Sequence, residues 1–188
     1  MVKLTKIYTR SGDDGSTMLA DGSRRPKHDS RIACYGAVDE ANAALGMARL
    51  HTEKMPALDA ILARLQNDFF DLGADLATPE TDAFEPLRIS RAQVERLEQE
   101  IDALNEKLAP LDSFILPGGT AAAAHLHLAR TLIRKAERRL SAASEAGDIF
   151  SEPARHYINR ASDLLFVAAR AANQDGALDI KWVPGAHQ

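Results

Sequence analysis

From Arg31 to Asn173 the apolar residues recur at steps of three and four, and each interruption carries proline or glycine. One face of an α-helix requires that spacing, and five helical segments can be marked. "RIACYGAVDEANAALGMARLH" runs from Arg31 to His51 and is rich in alanine. Pro56 opens the second, whose stripe is Leu58, Ile61, Leu62, Leu65, Phe69, Leu72 and Leu76. Pro79 and Pro86 frame a linker, after which Ser90 is placed as the N-cap of a helix carrying Val94, Leu97, Ile101, Leu104 and Leu108. "PLDSFILPGG" cannot continue a helix. The fourth segment runs from Thr120 to about Ala146 and is closed by Gly147; the fifth, from about Ser151 to Asn173, tolerates Pro153 in its first turn. Short connections between such helices imply an antiparallel bundle. In the last helix Phe166 and Val167 lie off the main apolar face, so that helix is expected to be central and also packed on another subunit.

The 188 residues are read as one domain, with an opening loop over 1–30, a helical bundle over 31–175 and a tail over 176–188. Gly12, Gly15, Gly22 and Pro26 punctuate the opening loop, and no helix or strand period persists there. A net charge of -4 gives no sign of nucleic acid, so any anion site must be a local cluster of Lys and Arg. Cys34 is the lone cysteine, which excludes an internal disulfide and suits a reducing cytosol; its apolar helix makes it a core residue rather than a nucleophile. No apolar run approaches the roughly 20 residues of a membrane span, and no signal-peptide pattern opens the chain. A cytoplasmic protein without nucleic-acid or membrane partners is expected.

Two polar features stand out. In "LHLARTLIRKAERRLSAA", Arg130, Arg134 and Arg138 step by four, with Glu137 on the same third of the helix. Either this is a solvated face on which Glu137 pairs with Arg134 or Arg138, or it is an anion site suited to bidentate contacts. "IYTRSGDDGST" is the second feature. It matches neither a Walker loop nor a dinucleotide fingerprint, yet its glycines and the hydroxyls of Ser11, Ser16 and Thr17 could form an anion nest. A simple polar turn is the other reading. In the nest, Asp13 and Asp14 would bond the loop's own N–H groups or ligate a divalent cation shared with phosphate oxygens, and Arg24, Arg25 and Lys27 add positive charge. His125, His127 and His156 are read as packing or polar-face residues, not as zinc ligands.

Taken in order, "KIYTRSGDDGSTMLADGSRRPKHDSRIACYGAVDEANAALG", "FILPGG", "HLARTLIRKAERR" and "YINRASDLLFVAAR" resemble the PduO-type ATP:cob(I)alamin adenosyltransferases from Lys6 to about Arg170. The resemblance implies an all-α, up-down, ferritin-like five-helix bundle that forms a homotrimer, with ATP and corrinoid between neighbouring subunits. It implies transfer of the 5′-deoxyadenosyl group of ATP to the cobalt of cob(I)alamin, giving adenosylcobalamin and triphosphate. Carried onto this chain, Thr9, Arg10, Ser11, Gly12, Ser16, Thr17 and Lys27 match the ATP-binding opening segment. Arg134, Lys135, Glu137 and Arg138 match the arginine-rich ATP run, and Asn159 matches an ATP-binding asparagine. Asp39 matches an aspartate paired across the interface with Arg130; a surface pair within one subunit is the alternative. Phe114 matches the aromatic that keeps the lower ligand away from cobalt, against the alternative of an ordinary core residue. Asp39, Phe114, Arg130 and Asp163 make up the corrinoid set, and Arg134, Asp39, Arg130 and Phe114 the catalytic set.

The chain departs from the family pattern at Lys135, where a second arginine is usual and a bidentate contact is put in doubt, and also at Ala20 and Ala161. Mg²⁺ would enter with the ATP phosphates rather than on a protein-only site, and K⁺ is a further candidate. A reductant for cob(II)alamin and an adenosylcobalamin-dependent enzyme are the implied partners. A non-enzymatic nucleotide or corrinoid carrier shares every binding motif, and a purely structural bundle would leave the arginines as surface charge.

Overall fold

A computed structural model describes residues 5–186; residues 1–4 and 187–188, parts of the expected loop and tail, lie outside the described residues. Among the described residues five helices follow one another: α1 (Ser30–Arg49), α2 (Pro56–Leu76), α3 (Arg91–Asn105), α4 (Ala121–Glu145) and α5 (Glu152–Ala172). Their starts are chemically marked. Asp29, Ser90, Thr120 and Ser151 cap the orphan N–H groups of α1, α3, α4 and α5, and Ser90 with Gln93 completes a capping box. Pro153 sits in the first turn of α5.

The most extensive seam joins α1 to α4. Ala37, Ala41, Ala44 and Ala48 meet Ala122, Ala129, Ala136 and Ala143, and small side chains let the two backbones approach closely. The pair is antiparallel. Lys135 meets Glu40 at 2.6 Å, and the His51 and His125 rings stack 5.3 Å apart. On its other flanks α4 packs on α5 and α1 on α2, while α3 covers α5. The last helix is therefore central, as its nearly continuous apolar surface requires, with α3 and α4 covering both sides. Cys34 is fully buried, and burial pushes its thiol up to about 12.

Within residues 5–30 the structure differs from the loop expected. Ser16–Met18 (β1) and Arg24–Pro26 (β2) pair antiparallel around a turn that Gly22, at φ 86°, closes. A second ladder joins Ile115–Leu116 (β3) to Ile180–Lys181 (β4). Strands of two or three residues are too short to show alternation in sequence, and β3 and β4 meet only because the chain returns after α5.

Two polar locks fix the ends of the bundle. At one, Arg31 is 2% exposed; its Nε donates to Asp148 (3.0 Å), Nη1 to the Leu76 carbonyl (2.8 Å) and Nη2 to the Ile149 carbonyl (2.9 Å). At the other, Asn173 accepts from the Thr120 N–H and donates to the Gly118 carbonyl and to Asp179, which also holds Arg170. Gly119 lies at φ 95°, and a Cβ there would fall 2.2 Å from the Asn173 side chain. Gly119→Ala combines a strained backbone with a collision against that lock, so it should destabilise the protein by at least about 2–3 kcal/mol. A urea midpoint unchanged from wild type would refute this account of the bend.

Candidate functional site

The opening loop is ordered by its own side chains. Asp14 accepts from the Ser16 N–H (2.9 Å) and hydroxyl (2.7 Å). These bonds, helped by Arg24, hold its carboxyl below the usual range. Arg24 also donates to the Ser11 carbonyl and the Ser16 hydroxyl. Asp14 thus bonds the loop, the first of its two sequence readings. Thr9 and Ser11 share a hydrogen bond, and Arg10 takes a left-handed φ of 63°. Of the downstream cations, Arg24 is held by Asp14, and Arg25 by Asp29 and Asp148. Lys27 is different. Its ammonium lies over Gly12, where a Cβ would meet it at 3.2 Å, and among the described residues it has no carboxylate partner. A side chain at Gly12 would crowd both that ammonium and the Ser16 carbonyl.

Along the α4–α5 seam the arginine row faces a polar ridge. Arg134 and Arg138 are exposed, and among the described residues neither makes a hydrogen bond or ion pair with protein. Glu137 does not pair with them. Asn159 on α5 donates to Glu137 (2.9 Å) and accepts from Arg160 (2.6 Å), because packing α5 alongside brings a better-placed donor than the arginines on Glu137's own helix. Lys135 is drawn away to Glu40 on α1. Asp163, one turn before Phe166, is solvent-exposed, yet partial desolvation raises its carboxyl. Glu137 adds to that rise, and Arg160 and Arg134 oppose it. No bond joins the opening loop to Arg134, Lys135 or Arg138 among the described residues of one protomer.

Further along the seam the row ends at an aromatic cleft. The Arg130 guanidinium lies 5.9 Å from the Phe166 ring centre, and burial with the nearby Arg134 charge lowers its proton affinity. Phe166 lines a cleft of about 550 Å³ with Leu111, Phe114, Trp182 and Pro184. Phe114 is 80% exposed, which removes the core reading, and its ring tilts against Trp182 at 6.2 Å. Backbone pairing holds that arrangement: the Trp182 N–H donates to the Phe114 carbonyl at 2.8 Å. Sequence reasoning missed Trp182. The one available signal was a lone tryptophan in the tail, with nothing local to say where the tail lands.

Asp39 and Arg130 do not meet as a bonded pair within the protomer. Asp39 lines a groove of about 430 Å³ between α1 and α2 with Tyr35, Asn42, Phe69 and Phe70. Phe70 is 71% exposed in that groove, and the Asn42 side-chain oxygen is buried without a partner. No ion pair or hydrogen bond links Asp39 to Arg130 within the protomer, so the intrasubunit alternative is removed. Among the described residues no three His, Cys, Asp or Glu side chains converge as a metal site, and no helix is long and apolar enough to cross a membrane.

The chain matches a family profile described as cobalamin adenosyltransferase over residues 7–172. It is 48% identical over 188 residues to a corrinoid adenosyltransferase of Mycobacterium tuberculosis (strain ATCC 25618 / H37Rv), covering 98% of this chain and 96% of that one. It is 38% identical over 183 residues to a corrinoid adenosyltransferase of Bacillus subtilis (strain 168), covering 94% and 92%. Its fold is similar to a solved variant of a PduO-type ATP:corrinoid adenosyltransferase from Lactobacillus reuteri complexed with cobalamin and ATP. That likeness has a TM-score of 0.86 and 35% identity, over 95% of this chain and 97% of that one.

The loop geometry makes its own prediction. Asp14→Ala removes the acceptor that closes Ser11 to Ser16, so the Ser16 amide should exchange with solvent several-fold faster while the thermal midpoint of the bundle stays put. Unchanged exchange at Ser16 would show that the carboxylate is not what orders the loop.

Proposed function

The chain belongs to the cobalamin adenosyltransferase family, and on that premise we propose how its own residues transfer the 5′-deoxyadenosyl group of ATP to the cobalt of cob(I)alamin. The cobalt electron pair attacks ribose C5′, the C5′–O bond breaks, and its electrons leave with triphosphate. No general base is needed, so the protein supplies position and charge. The single observation that carries the reading is the continuity of the α4–α5 seam. An aromatic cleft fit for a flat macrocycle is walled by Phe166, over which Arg130 lies, and Arg130 leads into the exposed guanidinium row of Arg134 and Arg138.

Arg134 and Arg138 face the triphosphate, with Asn159 and Glu137 fixing the adjoining wall. The N–H groups and hydroxyls of residues 9–17, with Lys27 over Gly12, close on the same phosphates from a neighbouring protomer. Lys135 reaches them only by leaving Glu40, so it is the weakest member of the set. Mg²⁺ would be held by phosphate oxygens and by Ser16 and Thr17, an all-oxygen donor set suited to a hard cation, and it supplies charge neutralisation. K⁺ would share that loop. In the cleft, Phe114 and Trp182 cover the lower face of the corrin; excluding a donor there makes cob(II)alamin easier to reduce.

A homotrimer accounts for the two separated flanks. Asp39 opens on the α2 side of α1 and Arg130 on the α5 side of α4, so one surface of a protomer can meet a different surface of the next, and three such contacts close a ring. Exposed Met47 and Leu128, on neighbouring turns of the antiparallel α1–α4 pair, give the contact apolar area. Substrate must come from a one-electron reduction of cob(II)alamin, and the product serves adenosylcobalamin-dependent enzymes. We place the activity in the cytoplasm.

The test is an anaerobic spectral assay of adenosylcobalamin with triphosphate release measured in parallel; a carrier would release none. Arg134→Ala should lower kcat/KM by about 100-fold or more. Phe114→Ala should keep the KM for ATP and lose turnover from cob(II)alamin, and wild-type rates in that variant would remove its role. Asp39→Asn should shift the protein toward smaller species in sedimentation and weaken corrinoid turnover. Full activity in an unaltered oligomer would contradict the intersubunit pair.

A further inference from the structure

We propose that His127 is a positioning residue for the corrinoid cleft: from beneath Phe166 it sets the ring over which Arg130 lies, and thereby the wall against which the macrocycle seats. The inference rests on the corrinoid reading above. His127 stands on α4 three residues before Arg130, on the same face, and is 1% exposed. Among the described residues neither of its ring nitrogens has a hydrogen-bond partner, and the Arg130 Nε beside it is in the same state.

Buried polar atoms without partners lower stability, and three of them within one turn of one helix are unusual. Leu126 and Ala129, the buried neighbours, show what this helix otherwise places in its core. An apolar side chain of similar volume would suit the surroundings of His127 better. A local rule broken without a structural gain points to a functional constraint.

The contacts show what the ring does. Its centre lies 6.2 Å from that of Phe166 at 62°, an edge contact, while the Arg130 guanidinium lies across the same phenyl group. Phe166 is only half-buried, and its free side is the cleft wall opposite Phe114 and Trp182. Two α4 side chains one turn apart thus fix one aromatic rotamer. Two aromatic rings in a T-shaped arrangement attract one another electrostatically, which an aliphatic group of the same size does not reproduce. Burial, with the neighbouring Arg130 charge, keeps the imidazole neutral against the opposing pull of Asp179, so the full positive charge at Phe166 belongs to Arg130 alone.

The role separates from packing because stability and affinity should move in opposite senses. His127→Leu has nearly the same volume and removes the two partnerless nitrogens. Its thermal midpoint should match or exceed wild type, and its KM for ATP should stay within about twofold. Its KM for cob(I)alamin should rise by about fivefold to tenfold, with a smaller change in kcat. His127→Gln, which restores an N–H donor at similar reach, should fall between the two. An unchanged corrinoid KM in His127→Leu overturns the proposal. So does a lowered midpoint, or failure to fold, with both substrates affected together, since His127 would then be a packing residue. Wild-type protein without turnover in the same assay would instead defeat the adenosyl-transfer reading on which the inference rests.

Discussion

The buried guanidinium of Arg31 is the contact on which the geometry of the molecule turns. A charge at that depth is tolerable only if it is paired and hydrogen-bonded, and here each guanidinium nitrogen has a partner, in Asp148 and two backbone carbonyls, with the face of Phe150 stacked against it. Those partners come from the end of α2 and from the α4–α5 turn, so one side chain at the start of α1 fixes three chain segments. Asp148 also forms an ion pair with Arg25 of β2, which draws the N-terminal hairpin onto the same end of the bundle. The position of the glycine loop is thereby set by a residue that lies outside it.

The opposite end is built on the same principle with different chemistry. Arg170, Asn173 and Asp179 bond to one another and to the backbone of the Pro-Gly-Gly bend. This pins the loop bearing Phe114 against the strand that leads to Trp182. Between the two locks runs the alanine-lined seam of α1 and α4, which is close-packed and carries no polar cost. Functional side chains on loops at the ends of a rigid scaffold are held in place by such second layers.

The cations of the protein fall into two groups by their partners. Arg24, Arg25, Arg31, Lys135 and Arg170 each satisfy a carboxylate of the same chain. Lys27, Arg130, Arg134 and Arg138 do not, among the described residues. Like charges at four-residue spacing oppose one another on a helix, and among the described residues no carboxylate forms an ion pair with Arg130, Arg134 or Arg138.

What the sequence by itself determined is whatever lies within a few residues along the chain: the five helices, their Ser, Thr and Pro starts, the alanine and leucine stripes, and the arginine row at period four. Local spacing encodes these because a helix places residues three and four apart on one face regardless of its surroundings. The four-motif order also carried the family, through resemblance rather than through physics. Only the tertiary structure decided that Phe114 is exposed, that Trp182 and Phe166 face it, that Glu137 answers Asn159 and Lys135 answers Glu40, and that Arg31 is buried. Each of those facts joins residues between 16 and 118 positions apart, and no periodicity records where a distant segment returns.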